Sequence, residues 1–193
     1  MMDYLGDLQL RLDRLLPMLA EPDQLSVGLT GSGNIYIFDY HPQDELLLRE
    51  RLRYLEHKLT GAYVPVLAVD LFALIVARLS TEGVLEDFFR LEEEETTDYV
   101  LQAFYDTLSA DVLTDDLLQL IRQHSPRLVF ISGLGKAWPV LRSHTIINNL
   151  AERHNGCPVI FFYPGTYRAA QLSLFGQFSD GNHYRAFHLL PPE

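Results

Sequence analysis

The sequence predicts an α/β protein with a mainly parallel sheet of about five strands, helices on both faces and an acidic helical insertion. Three observations lead there. Short apolar runs alternate with longer segments of helical periodicity. One run, "VPVLAVD" (64–70), is almost continuously apolar, as in a parallel strand covered on both faces. In "LVFISGLGKAWPVLRSH" (128–144) a strand passes through a Gly-Leu-Gly-Lys turn into an apparent amphipathic helix. That order is P-loop-NTPase-like or Rossmann-like.

The elements follow in order. Residues 3–20 read as a helix, because Leu5, Leu8, Leu12, Leu15 and Leu19 fall at spacings of three and four. "TGSGN" (30–34) is a turn, and "IYIFDY" (35–40) is a strand rich in β-branched and aromatic residues. A helix starts after Pro42, with Leu48, Leu52, Leu55 and Leu59 on one face and Glu45 placed to pair with Arg49. The strand "VPVLAVD" leads directly into the helix "LFALIVARL", where Asp70 stands at the N-cap. From about 83 to 124 the chain turns helical and acidic, around "LEEEETTDY" (91–99), with three short helices at 84–91, 97–108 and 114–124. Those glutamates form a solvated helix end or a docking surface for a basic partner. Strand 127–132, a helix to about 152, strand "CPVIFFY" (157–163) and a last strand 184–190 complete the pattern.

At 193 residues, with 48% of them hydrophobic, the chain is read as one domain over 1–193 with the insertion at about 83–124. The formal charge of −11 disfavours direct binding of nucleic acid, although Arg49, Arg51 and Arg53 lie close together. The single cysteine, Cys157, permits no internal disulfide and no cysteine-based zinc site. No apolar run approaches the roughly 20 residues that cross a bilayer, and the cytoplasm is the expected location.

In doubly wound sheets ligands sit beyond the carboxyl ends of the strands, which here carry Asp39, Asp70, Gly133 to Lys136 and Tyr163 to Tyr167. A P-loop would need glycine at 130 and a hydroxyl at 137, and these positions hold Phe130 and Ala137. A Rossmann fingerprint would need glycine where Trp138 stands. Nucleotide hydrolysis is therefore not expected. An anion on Gly133, Gly135, Lys136 and Arg142 stays as the alternative, against a plain strand-to-helix turn.

No catalytic residue emerges. Ser143, His144 and Asp39 make a triad only on paper, because adjacent helical residues diverge by about 100 degrees. None of the seven histidines forms a metal-binding spacing, and neither metal nor cofactor is expected. Asp39 and Asp70 would share a cation only on neighbouring strands, and helix capping explains each more simply. Asp39, His144, Tyr163 and Gly165 complete the binding candidates at the strand ends, and Tyr167, Tyr184 and Arg185 are the residues expected to face a partner.

"IFDYHPQDELLLRERL" (37–52), "VDLFALI" (69–75), "ISGLGKAWPVLRSHTIINNL" (131–150), "FFYPGTY" (161–167), "LSLFG" (172–176) and "YRAF" (184–187) stand in the order of one family. On these motifs the chain resembles the BrxB family of the BREX bacteriophage-defence systems. The resemblance implies a cytoplasmic accessory subunit without established catalytic activity. It also implies two neighbours: PglZ, an alkaline-phosphatase-like protein, and PglX, an adenine-specific DNA methyltransferase. The chain departs from the family pattern at His183, where an aromatic is common, and at Arg168–Ala169, where Asp-Gly is frequent. An adaptor that binds PglZ is the first expectation, and self-association is left open.

Overall fold

The computed structural model describes residues 4–26, 34–179 and 181–192. Residues 30–33 of the expected "TGSGN" turn lie outside the described residues, as does the side chain of Leu5. The first elements are α1 (Tyr4–Leu19), the short α2 (Asp23–Ser26), β1 (Ile35–Tyr40), a 3-10 turn at Pro42–Asp44 and α3 (Glu45–Gly61). Then come β2 (Val66–Asp70), α4 (Leu71–Thr81), α5 (Leu85–Glu94), α6 (Thr97–Thr107) and α7 (Ala110–His124). The chain continues through β3 (Leu128–Ser132), α8 (Leu134–Ala137), α9 (Ser143–Arg153) and β4 (Val159–Arg168). It ends with β5 (Gln171–Leu174), β6 (Phe178–Ser179) and β7 (Phe187–His188).

The parallel sheet has the order β2-β3-β4-β1-β7. Side chains alternate across it, because successive Cβ atoms of a strand point to opposite faces. Ile35, Ile37, Val129, Ile131, Val159 and Phe161 pack with α4, α7 and α9. Tyr36, Phe38, Leu128, Phe130, Ile160 and Phe162 pack on the other face with the leucines of α1 and α3. The predicted stripe of α1 is this contact: Leu8, Leu12, Leu15 and Leu19 are all buried. The result is a helix–sheet–helix sandwich with a core on each side of the sheet.

Several expectations are corrected. β2 is an edge strand with Ala68 exposed, so its apolar run is not covered on both faces. The helix expected after the glycine turn is broken. Pro139 lacks an N–H and pushes the preceding Trp138 into extended backbone, which ends α8 after four residues. Within the acidic segment, α7 buries Leu113, Leu117, Leu118 and Ile121 in the main core, so it is the crossover helix and only α5 and α6 are additions. The last strand shrinks to Phe187–His188, two residues against Tyr36 and Ile37 at the sheet edge. The strand expected from Cys157 starts at Val159 and runs on into an unforeseen antiparallel hairpin with β5, continued by β6. Ala169 and Ala170, both at positive φ, form its turn.

Among the described residues no helix is long and apolar enough to cross a membrane.

Candidate functional site

The chain leaves β1 over one face of the sheet, through α3, and returns over the other through the helices that lead to β3 and β4. The carboxyl ends of β1 and β4 therefore meet at a topological switch point, where such folds open a crevice. A cleft of about 660 Å³ lies there, lined by Arg11, Asp39, His41, Asp44, Thr166, Tyr167 and His188 among others.

Asp39 is the centre of this cleft and is 3% exposed. Its Oδ1 accepts from Arg11 Nη2 at 3.0 Å and from His188 Nε2 at 2.8 Å, and its Oδ2 accepts from the Tyr167 backbone N–H at 2.9 Å. The carboxylate can only accept, so His188 donates through Nε2. Burial alone would raise the Asp39 pKa. The hydrogen bonds from His188 and Tyr167, with the charges of His188 and Arg11, outweigh it and hold the carboxyl below its usual range. Asp39 is an ionised structural acceptor, neither a helix cap nor a poised base.

Arg11 is also spent. It is 3% exposed, donates to the carbonyl oxygens of Leu190 at 2.7 Å and Asp39 at 2.8 Å, and lies over the Phe38 ring. Tyr167 places its ring edge-on to His188 at 5.2 Å and gives its hydroxyl to Ala186 O at 2.8 Å. One network thus ties α1, β1, the β4–β5 hairpin and the C-terminal segment together. Asp44, buried at the entrance to α3, adds a carboxylate whose Oδ2 has no partner among the described residues. Gly165 lets this network close, because a Cβ there would overlap the Ser173 carbonyl across the hairpin.

The glycine turn forms a separate corner, at the ends of β2 and β3. Gly133 has φ +79°, the left-handed region that favours glycine. A Cβ at Gly133 would collide with the Asp70 carboxylate, whose Cγ it would approach to 2.8 Å. Asp70 also caps α4 by accepting from Ala73 N at 3.1 Å, and it pairs with Lys136. Its partial burial would raise its pKa, but the Lys136 and Ala73 hydrogen bonds and the Lys136 charge lower it. Gly135 is needed for packing, since a Cβ there would press on Phe175 and Pro164 at 3.0 Å. The lysine of the turn is thus paired with the chain's own carboxylate, which lies against Gly133.

The sequence-predicted residues are divided among these places. Asp39, Gly165 and Tyr167 come together at the cleft. Gly133, Gly135 and Lys136 come together at the turn. Asp39 and Asp70 do not meet, because β3 and β4 separate their strands. Arg142 is exposed and lines a groove beside Tyr105 and Thr145, away from the turn. His144 sits in the first turn of α9, and the histidine that Asp39 holds is His188 instead. Tyr163, Tyr167 and Tyr184 are 2%, 4% and 5% exposed, so they belong to the core rather than to a partner-facing surface, whereas Arg185 is exposed. Sequence reasoning missed Arg11 and His188. A lone arginine on the leucine face of an otherwise amphipathic helix was the available signal for Arg11.

The Cys157 thiol is half-buried, and burial pushes its pKa up, as expected of an inert cysteine rather than a nucleophile.

Comparison with known proteins identifies the family. A family model described as "BREX protein BrxB" matches residues 67–189. A BREX protein BrxB of Bacillus cereus (strain H3081.97) is 35% identical over 184 residues, 93% of this chain and 96% of the relative. Another BREX protein BrxB, from Escherichia coli O9:H4 (strain HS), is 31% identical over 164 residues, 83% of this chain and 82% of the relative. No solved structure gives a significant match. By the extent of the family match and the identity to these relatives, the chain belongs to the BrxB family of BREX proteins.

Proposed function

We propose that the chain is a non-catalytic accessory subunit of a BREX bacteriophage-defence complex, acting in the cytoplasm. In this reading it binds a PglZ-like protein and, through it, helps assemble the complex with the PglX DNA methyltransferase. The observation that carries the reading is the internal filling of the sheet's rim. Asp39 is satisfied by Arg11, His188 and Tyr167, and Lys136 by Asp70, so these two groups are engaged within the chain, while Asp44 keeps one unpartnered oxygen. A subunit so arranged acts through its surface. The net charge of −11 points the same way, toward a protein partner rather than a phosphate backbone.

The alternative of an anion or nucleotide sensor at Gly133–Lys136 meets a specific obstacle, the Asp70 carboxylate packed on Gly133. Repulsion between that carboxylate and a phosphate opposes binding at the same spot.

Co-expression with a PglZ-like protein tests the proposal. Co-elution of the two proteins from a sizing column at micromolar concentration is expected. Separate elution there contradicts the adaptor role.

A further inference from the structure

The helices α4, α5 and α6 enclose a groove of about 240 Å³ apart from the Asp39 network, with Lys136 Nζ over the ring of its wall residue Phe72 at 5.9 Å. Its walls are apolar. Phe72 and Val76 come from α4, Leu85 and Phe89 from α5, and Val100 from α6. Phe72 is 41% exposed and Phe89 is 51% exposed, and both line this groove. One end of the groove is acidic. Glu92 lines it, and Glu93, Glu94 and Glu95 follow on the same exposed helix end. Among the described residues none of these four glutamates forms an ion pair. The arginines of the two helices are already engaged, Arg78 with Glu82 and Asp116, and Arg90 with Asp87.

We infer that this groove is where the partner subunit docks, and that the docked element is an amphipathic helix whose apolar face is flanked by lysine or arginine. This inference rests on the adaptor reading and names the surface that serves it. The groove can take the apolar side chains of one helix face, between Phe72 and Val76 on α4 and Leu85, Phe89 and Val100 on α5 and α6. Its charge selects the flanks, because the unpaired glutamates complement a basic segment and steer it in. The same charge disfavours other occupants. In a two-fold contact between two copies each groove would meet the identical surface, acidic end included. A phosphate-bearing surface, whether nucleic acid or anionic lipid, is repelled outright.

The test uses the full chain and the purified PglZ-like protein, with the dissociation constant measured by titration calorimetry. Two variants are compared with the wild type, Phe72→Ser/Phe89→Ser and Glu93→Lys/Glu94→Lys. All four positions are exposed, and an unchanged unfolding midpoint confirms that each variant is folded. The phenylalanine variant is expected to lose at least about tenfold in affinity. The charge-reversal variant is expected to lose about tenfold at low salt, with the deficit shrinking as salt screens the exposed charges. Wild-type affinity in both variants overturns the groove assignment and leaves the adaptor reading intact. No binding by the wild type overturns both. A wild type that runs as a dimer, converted to a monomer by the phenylalanine variant, shows that a second copy occupies the groove and also overturns the assignment.

Discussion

Replacing Asp39 by alanine tests the network at the switch point most sharply. The substitution removes the acceptor of three donors at once and leaves the Arg11 guanidinium, only 4% exposed, with Asp7 at 3.6 Å as its remaining carboxylate. Removing one member of a buried ion pair costs about 3–5 kcal/mol. The orphaned Tyr167 N–H adds to this, although such terms do not sum fully within one network. A loss of about 4 kcal/mol is therefore expected, read by urea unfolding at neutral pH. At roughly 2–4 °C per kcal/mol for a chain of this size, the melting temperature falls by about 8–16 °C. The double variant Arg11→Met/Asp39→Leu replaces both charges with apolar groups and recovers part of the loss.

The pH dependence follows with its sign. The folded pKa of Asp39 lies below its unfolded value near 3.9, because His188, Tyr167 and Arg11 outweigh burial. Its contribution is full above that unfolded value and is lost as pH falls through the lower folded one. The acid-side loss of stability is accordingly shallower in Asp39→Ala than in the wild type. A loss of under about 1 kcal/mol at neutral pH would refute the claim that these contacts hold the cleft together.

Two further substitutions probe the backbone. The hairpin turn places alanines 169 and 170 at φ +49° and +60°, which costs roughly 1–2 kcal/mol per non-glycine residue. Ala169→Asn with Ala170→Gly supplies the residues such a turn favours and is expected to stabilise by about 1–2 kcal/mol in thermal unfolding, whereas no gain means the turn is not left-handed. Gly133→Ala combines a left-handed φ with a collision against Asp70, and a loss of about 1–3 kcal/mol is expected. A neutral result there means that Asp70 does not fill the turn.

The layered fold was legible because its signals are local and redundant. Leu8, Leu12, Leu15 and Leu19 mark one helix face, Asp70 announces the start of α4, and the apolar runs coincide with the sheet. What was not legible depends on order in space. Nothing local says that β3 and β4 intervene between β1 and β2, so the pairing of Asp39 with Asp70 was an open geometry that the fold closed off. Arg11 sits on a leucine face, and its contacts with Asp39, the Leu190 carbonyl and Asp7 make an arginine tolerable there. The β4–β5 hairpin escaped because Ala169–Ala170 lacks the glycine or asparagine that announces such a turn. The break at Trp138–Pro139 was readable from the proline alone. The candidate site divided in the same way. Its glycines and Lys136 stood out as a motif, but that Asp70 would fill the turn depends on the neighbouring strand.

The central claim is that Asp39 and Lys136 at the rim of the sheet are engaged by the chain's own side chains, so that the protein works by holding a partner. Titration of the purified chain with magnesium-ATP by calorimetry tests it most directly. No saturable heat is expected, for the wild type or for Lys136→Ala. Saturable binding in the wild type that disappears in Lys136→Ala, accompanied by release of phosphate, would contradict it.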